Sequence, residues 1–264
     1  MWQWAQRWLE VIFLHWRVPA WELRPLVPAP LELDVLDGDA WISLVFFRLT
    51  VRPRWLPFLP GLSSLVELNL RTYVSLNGQP GIYFLRIHAD NRAAMWLARR
   101  LTPLPYQPAR LRHEQVADTG YWCDCQDHSE PSRGLALQLQ PAGELRSAAD
   151  APADCWLLER YRLYAPATDG KLLQADVEHP RWHVRRAEVR IHRISIARDL
   201  GLKLSDRPDA LHFSPGLAAR FGTFSPVNPR LSIPSRVIRT SRHFQTRPDG
   251  LLRVEQSMTH QHDA

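Results

Sequence analysis

The stretch that decides the fold is Glu67 to Gln107, which reads ELNLRTYVSLNGQPGIYFLRIHADNRAAMWLARRLTPLPYQ. Residues 67–76 and 81–89 are rich in β-branched and aromatic residues, which favours two strands. Between them, Asn77-Gly78 is a strong hairpin-turn signal, because both residues tolerate a positive φ. The sequence therefore predicts an antiparallel hairpin over most of this stretch.

A helix is predicted directly after the hairpin. Asp90 or Asn91 can serve as its N-cap, because a short side-chain oxygen accepts a backbone N–H that the first turn leaves free. The helix is expected to run to about Leu101, and Leu104-Pro105 ends it.

The first strand carries a polar face. Glu67, Asn69, Arg71 and Tyr73 alternate with apolar residues, so the period of two places all four on one side. Glu67 has two interpretations at this point. It is either an acid that faces a ligand or the partner of an arginine such as Arg71 or Arg160, to which a carboxylate binds well.

Charge and composition exclude some classes of function. The chain has 264 residues, 45% of them hydrophobic, and a net charge of +6. Its arginines are dispersed and interleaved with acids, whereas nucleic-acid-binding proteins cluster their basic residues. We therefore expect no nucleic-acid partner.

The N-terminal region and the cysteines indicate the compartment. Three cysteines are too few for a disulfide scaffold, which favours a reducing environment. No signal peptide is recognisable, and the longest early apolar run, residues 8–16, is far shorter than a membrane span. We expect a cytoplasmic protein with no membrane partner; homo-oligomer formation stays open.

The rest of the chain has the pattern of an α+β fold of mostly antiparallel strands. Many short alternating segments occur without βαβ order. Residues 31–36 and residues 156–164, the latter with the sequence WLLERYRLY, are predicted to be two of these strands. Residues 192–202 fit a helix or an irregular strand equally well. We predict one domain over residues 1–223 and a polar, Pro-containing extension over residues 224–264 whose end is mobile.

The same stretch resembles acetoacetate decarboxylase. In that family a Glu opens the first strand, an Asn-Gly turn follows, a Tyr lies in the return strand, Asp-Asn begins the helix, an Arg lies within it, and Pro-Lys-Lys comes last. The matching positions here are Glu67, Asn77-Gly78, Tyr83, Asp90-Asn91, Arg99 and Pro105-Tyr106-Gln107.

The departure from that family concerns its chemistry. Tyr106 stands at the position of the Schiff-base lysine, Gln107 at that of its neighbour, and Leu9 at that of a pocket arginine. Neither Tyr nor Gln can form an imine, and the chain's two lysines, Lys171 and Lys203, lie outside the motif. The inherited Schiff-base decarboxylase mechanism is therefore not expected.

A wider combination resembles the uncharacterised YqjF-like relatives of acetoacetate decarboxylase. The segments HWRVP, VRPRWLPFLP, ELNLRTYV, LPY and LLERYRLY match it over roughly residues 2–220. The resemblance implies the cone-shaped β-barrel of acetoacetate decarboxylase, holding a small organic ligand with a carboxylate or carbonyl group.

No metal site or cofactor is expected. Cys123, Cys125 and His128 lack the second ligand pair that a structural zinc site requires, and no phosphate-binding glycine loop is present. His15 is interpreted as a structural histidine.

The functional hypothesis has two forms. In the first, the barrel binds the ligand and supports lyase-like or isomerase-like acid/base chemistry without a Schiff base, or binds only. Tyr106 and Glu67 are then the catalytic candidates, and the ligand-binding candidates are Arg71, Tyr73, Tyr83, Gln107 and Arg160. In the second, a non-catalytic structural or interaction protein fills its barrel with side chains. A polar interior favours the first form.

Overall fold

The computed structural model describes residues 2–55, 63–116, 120–167 and 169–227. These residues form one mixed sheet with three helices and single 3-10 turns at Arg24–Leu26, Ala148–Asp150 and Arg198–Leu200. The helices are α1 (Ala20–Leu23), α2 (Arg92–Leu101) and α3 (Pro152–Leu158). The strands are β1 (Trp2–Val18), β2 (Glu32–Leu33), β3 (Ala40–Pro53), β4 (Ser64–Leu76), β5 (Gln79–Ala89), β6 (Tyr106–Val116), β7 (Gly120–Asp127), β8 (Gly134–Ser147), β9 (Arg162–Pro166), β10 (Leu172–Glu178), β11 (His183–Ile194), β12 (Ala210–Gly222) and β13 (Ser225–Pro226).

The central stretch folds as predicted. β4 and β5 pair antiparallel, and Asn77 and Gly78 have φ values of 52° and 73° at the turn between them. The N-cap of α2 is Asn91, whose side chain accepts a hydrogen bond from the Ala94 amide at 3.0 Å. The turn and capping signals of this stretch therefore predicted its elements correctly.

Seven strands close into a barrel-like ring. Its order is β10-β9-β5-β4-β3-β1-β12, and β12 returns to β10 through Val177↔Phe221 and Glu178↔Arg220. All neighbours in this ring are antiparallel except β5 and β9, which run parallel at Ile82↔Leu163. The predicted α+β class with mostly antiparallel strands is confirmed.

The remaining long strands cover one side of the ring. β6, β7, β8 and β11 extend the sheet and enclose a core with the outward side chains of β1, β3 and β4. Leu68 and Leu70 of β4 point into this outer core, together with Leu111 and Leu137. The intervening β4 residues therefore face the interior of the ring.

The interior of the ring has its own apolar core. Phe13, Phe47 and Ile82 belong to it, whereas Ile12 and Leu14 belong to the outer core, as the alternation of a strand requires. Both faces of β1 are thus buried, which explains why its sequence reads as a continuous apolar run.

Two sequence predictions need correction. Residues 156–164 are not one strand: α3 ends at Leu158, and β9 begins at Arg162. Pro152 in the first helical turn and Asp154 beside it favour a helix, and Leu157 and Leu158 are buried by it. The strand predicted over residues 31–36 is reduced to β2, and residues 192–202 contain the end of β11 and a 3-10 turn.

The predicted C-terminal extension is described only at its start. β13 pairs with β10 at Leu173↔Pro226, while residues 228–264 lie outside the described part of the chain. The division into residues 1–223 and 224–264 therefore stays a prediction. In the described residues, none of the helices has the length and apolar character needed to cross a membrane.

Candidate functional site

A cavity lies inside the ring. It encloses about 490 Å³ of unfilled space, part of it open to solvent, and every strand of the ring contributes to its lining. The residues that line it are Trp8, Val11, Phe13, Val45, Phe47, Asn69, Arg71, Ile82, Phe84, Leu158, Arg160, Leu163, Val177, His179, Trp182 and Phe221. We call this space the arginine cavity, because its polar side chains are dominated by Arg71 and Arg160.

Arg71 is the unusual residue of this cavity. Its Nε is buried without a hydrogen-bond partner, and no carboxylate in the described part of the chain forms an ion pair with it. Its guanidinium lies beside the Tyr73 hydroxyl and 5.8 Å from the centre of the Phe13 ring. Burial, opposed by Tyr73 and reinforced by Arg160, lowers the pKa of Arg71, yet a guanidinium stays charged in proteins.

Arg160 is better satisfied than Arg71. It forms an ion pair with Asp34, and its Nε donates to the Trp156 carbonyl at 2.7 Å. Its guanidinium stacks on the Trp156 ring at 4.3 Å, but its Nη2 is buried without a partner. Both guanidinium groups thus face the cavity, and only that of Arg160 is paired with a carboxylate. The described site therefore has an excess positive charge.

Asn69 links this cavity to Glu67. The Asn69 side chain is hydrogen-bonded to the Glu67 carboxyl group, while its Oδ1 is buried without a partner in the described structure. Asn69 lines the arginine cavity, whereas Glu67 lines the space next to it. The inward face of β4 therefore presents an acid, an amide and a cation in order.

Glu67 and Tyr106 are in contact. The Tyr106 hydroxyl donates a hydrogen bond to Glu67 Oε1 at 3.2 Å, although the two residues come from different strands. Burial raises the pKa of Glu67 to about 8, against the opposing effect of the hydrogen bonds from Tyr106 and Asn69. At pH 7 this carboxyl group is therefore mostly protonated and can donate a proton or a hydrogen bond.

The position of Tyr106 is fixed by α2. Arg99 donates from Nε to the Tyr106 carbonyl oxygen at 2.9 Å, which ties the start of β6 to the end of the helix. Burial, followed by the nearby Glu67, raises the pKa of Tyr106 well above its usual value. Its hydroxyl therefore stays protonated at neutral pH.

Glu67 and Tyr106 lie in a second, apolar cavity beside α2. This cavity has about 930 Å³ of unfilled space, part of it open to solvent. Leu163 and Phe221 line both cavities, so the two spaces adjoin. The residues that line the apolar cavity are Trp4, Gln6, Leu49, Val51, Pro53, Ser63, Leu65, Glu67, Ala94, Met95, Leu97, Ala98, Leu101, Thr102, Leu104, Tyr106, Leu163, Phe221 and Phe224.

Three predicted ligand-binding residues do not line either cavity. Tyr73 is fully buried, and its hydroxyl donates to the Leu157 carbonyl at 3.0 Å. Tyr83 lies on the opposite face of β5 from Ile82 and packs in a separate apolar cluster. Gln107 follows Tyr106 on β6, so its side chain takes the other face of that strand. Arg71 and Arg160 are the predicted ligand-binding residues that line the arginine cavity.

A buried chain of polar side chains next to Tyr73 could not be recognised from the sequence. His15 Nδ1 lies 2.6 Å from Ser43 Oγ and 3.1 Å from the Tyr73 hydroxyl, and His15 Nε2 lies 3.3 Å from His212 Nδ1. His212 Nε2 then contacts Asp154 at 3.0 Å. Burial, followed by the nearby His212 and Arg71, lowers the pKa of His15, which is therefore neutral. His15, Ser43 and Tyr73 lie on the inward faces of β1, β3 and β4, so this polar chain lies inside the ring next to the arginine cavity. Its members are too far apart in sequence to be connected by spacing.

Neither lysine of the chain lines the two cavities. Lys171 is 70% exposed and pairs with Asp169 at 2.9 Å, and Lys203 is also exposed. A Schiff-base lysine needs burial or a neighbouring cation to lower its pKa, and neither residue has such surroundings. The residues that the structure describes contain no group of three or more His, Cys, Asp and Glu that could hold a metal ion.

Comparison with protein families and curated relatives gave two matches of high coverage. The model of the family DUF2071, described as an uncharacterised conserved protein, matches residues 5–218. The uncharacterised protein YqjF of Bacillus subtilis (strain 168) is 38% identical over 215 residues, which cover 81% of this chain and 88% of that protein.

Solved structures share the fold at low sequence identity. The enduracididine biosynthesis enzyme MppR, in complex with pyruvate, superimposes with a TM-score of 0.62 at 14% identity, covering 86% of this chain and 91% of MppR. A structure of acetoacetate decarboxylase gives a TM-score of 0.61 at 17% identity, with coverages of 87% and 91%. An acetoacetate decarboxylase-like enzyme from Sphingomonas wittichii RW1 gives 0.58 at 12% identity, with coverages of 86% and 93%.

Proposed function

The chain belongs to the DUF2071 family, and from this premise we propose that it binds a small organic molecule with a carboxylate group, with or without an adjacent carbonyl, in the arginine cavity. One observation carries the proposal: the guanidinium of Arg71, whose Nε is buried, has no carboxylate partner among the described residues. Burying a charge without a counterion is costly, and a bound ligand with a negative charge would offset this cost.

The neighbouring groups match such a ligand. Arg71 Nε and Arg160 Nη2 are buried N–H groups that lack acceptors, and a carboxylate has two oxygens to offer them. The surrounding aromatic side chains, such as Phe13 and Trp182, exclude water and strengthen the attraction. The solved structure of MppR with bound pyruvate is consistent with a ligand of this class in this fold.

Glu67 and Tyr106 are the groups we propose for chemistry. With a pKa of about 8, Glu67 is protonated near neutral pH and can polarise a ligand carbonyl or deliver a proton to it. The Tyr106 hydroxyl donates a hydrogen bond to Glu67 Oε1 and so holds the carboxyl group in position. This is acid/base chemistry of the lyase or isomerase type, which needs no lysine.

The alternative of a filled barrel without a ligand has less support. Trp8, Phe47 and Trp182 do occupy part of the interior. A barrel that served only as a scaffold would gain stability from an apolar residue at position 71, because no ligand would offset the cost of burying the guanidinium.

The binding proposal is tested by thermal shift and calorimetry with a panel of small carboxylates that includes pyruvate. A ligand that binds the folded state raises the apparent stability in proportion to the logarithm of its concentration. We expect at least one acid to stabilise the wild type and its methyl ester to have no effect. Arg71→Met should abolish the shift, while Arg112→Met, which removes an exposed arginine of β6, should leave it unchanged. Equal shifts in all three proteins would contradict the proposed site.

The chemical part of the proposal has its own test. An acid identified by binding is incubated with the wild type, Glu67→Gln and Tyr106→Phe, and its conversion is followed by NMR. We expect both substitutions to reduce turnover by about 100-fold or more, the usual contribution of a general acid, with little change in binding. If both variants kept full activity, Glu67 and Tyr106 would not be the catalytic groups.

A further inference from the structure

Carboxylate binding at Arg71 leaves the apolar walls of the cavity beside α2 without a role. Its walls are mainly Leu, Val, Ala and Met side chains, and its polar pair, Glu67 and Tyr106, is hydrogen-bonded internally. With a pKa of about 8, Glu67 adds little charge to this space at neutral pH. Unfilled apolar surface of this kind is unfavourable in contact with water, so it indicates a ligand group that has not yet been assigned.

The two cavities adjoin in a defined direction. Leu163 and Phe221 line both, and the inward face of β4 passes from Arg71 through Asn69 and Glu67 to Leu65. At about 3.3 Å per residue, Leu65 lies roughly 20 Å along the strand from Arg71. Along this line the surface changes from cationic to amide, then to a neutral acid, and finally to apolar.

We propose that the ligand is a carboxylate with an apolar tail, which places its carboxylate at Arg71 and its tail in the cavity beside α2. This inference rests on the proposed carboxylate binding at Arg71 and extends it by assigning the substrate class. A molecule in this position passes its middle carbons along Asn69 and Glu67, so an oxygen substituent there would meet the acid and the amide. The length of the tail, in addition to the charge of the head group, then determines selectivity.

The first test is a homologous series. Butanoate, octanoate, dodecanoate and tetradecanoate are titrated into the wild-type protein by calorimetry at fixed pH and salt, below their micelle-forming concentrations. Once the chain is long enough to pass Phe221, each added methylene should tighten binding about fourfold, the value for transferring one methylene group out of water. This series uses the native protein and does not depend on the folding of any variant.

The second test fills the apolar cavity from α2. Ala98 lines that cavity, whereas Ala93 is exposed on the same helix, so Ala98→Phe and Ala93→Phe form a matched pair. Ala98→Phe should weaken tetradecanoate binding at least tenfold and leave butanoate binding unchanged. Ala93→Phe should leave both unchanged. Circular dichroism confirms that the helix is intact in each.

The outcomes separate this inference from the proposed function. If affinity is the same from butanoate to tetradecanoate while Arg71→Met still abolishes butanoate binding, the tail assignment is wrong and carboxylate binding stands. If tetradecanoate binding is insensitive to Ala98→Phe, the tail lies elsewhere and the inference is again overturned. If no acid of any length binds, the proposed function fails and the tail assignment fails with it.

Discussion

Arg71 is a residue whose position is unfavourable for stability. The guanidinium lies deep in the ring without a carboxylate partner among the described residues, and Arg160 repels it. Substitution of buried charges by apolar groups of similar size is often neutral or stabilising. We therefore expect Arg71→Met to raise the free energy of unfolding, by about 1–3 kcal/mol, while it abolishes ligand binding.

Urea denaturation with and without ligand measures both effects. Arg112→Met serves as the control, because its exposed side chain should change neither quantity beyond about 0.5 kcal/mol. A marked loss of stability in Arg71→Met would mean that Arg71 has a structural partner, and would remove the main argument for a ligand.

Glu67 makes stability depend on pH. Its pKa is about 8 in the folded protein and near 4.5 when unfolded, so the folded state holds one more proton between these values. Below pH 4.5 Glu67 therefore causes no change in the free energy of unfolding with pH. Between pH 4.5 and pH 8 it lowers the free energy of unfolding by about 1.4 kcal/mol per pH unit. Above pH 8 both states are ionised and the loss is complete.

The comparison of wild type with Glu67→Gln isolates this effect. Unfolding free energies at pH 5, 6, 7 and 8 should show the wild type losing stability relative to Glu67→Gln as the pH rises. Parallel curves for the two proteins would mean that the carboxyl group is solvated and unsuited to act as a neutral acid.

The sequence could anticipate part of the site at this scale. Alternation along β4 placed Glu67 and Arg71 on one face, and the resemblance to acetoacetate decarboxylase related Tyr106 to Glu67. The isolation of Arg71 could not be predicted, because it depends on which carboxylates reach it: Asp34 pairs with Arg160 instead. The chain from His15 to Asp154 was also inaccessible, since His15 and His212 are 197 positions apart.

At the scale of elements, local signals worked where they were unambiguous. The turn at Asn77-Gly78 and the cap at Asn91 are local in origin, and both were predicted correctly. The prediction of one strand over residues 156–164 failed because alternating residues are also compatible with the end of one element and the start of the next. Pro152, which begins α3, lies upstream of the segment whose pattern was read.

Strand β12 depends on one glycine. Gly216 has a φ of 122°, and a Cβ there would lie 2.0 Å from the Trp8 carbonyl oxygen on β1. Because this contact involves backbone, it cannot be relieved by a side-chain rotation. We expect Gly216→Ala to lower the free energy of unfolding by about 3 kcal/mol or more, from the combined strain and clash.

The matched control lies in the same strand. At Gly222 the nearest atom to an added Cβ is 3.4 Å away, an ordinary contact, so Gly222→Ala should stay within about 0.5 kcal/mol of the wild type. Chemical denaturation of the two variants measures the difference. Similar stabilities would indicate that β1 and β12 separate easily at Gly216.

At the scale of the whole molecule, the ring has one weakly attached wall. In the described structure, the β9–β10 hairpin joins β5 at Ile82↔Leu163 and Tyr83↔Tyr164, and joins β12 at Val177↔Phe221 and Glu178↔Arg220. By contrast, β1 pairs with β3 and β12 along most of its length. Local opening is easiest where few hydrogen bonds must break.

Hydrogen exchange should therefore be fastest in this wall. We expect amides of β9 and β10 to exchange well before those of β1 and β3 under native conditions, as measured by mass spectrometry. A ligand in the arginine cavity contacts Leu163 and Val177, so it should slow exchange in the hairpin selectively. Uniform exchange across the ring would mean that the ring opens only by global unfolding.

The order of the strands also determines how copies of this chain can associate. The described sheet ends on β2 and β13, each a two-residue strand. Two of its long strands, however, pair on their second side over a short length only: β6 meets β5 at residues 106–108, and β11 meets β12 at Arg185↔Phe213. A free, long edge strand is the usual template for edge-to-edge aggregation. Self-association of the described region through backbone hydrogen bonds would therefore use the free lengths of β6 and β11, because β2 and β13 are too short to support it.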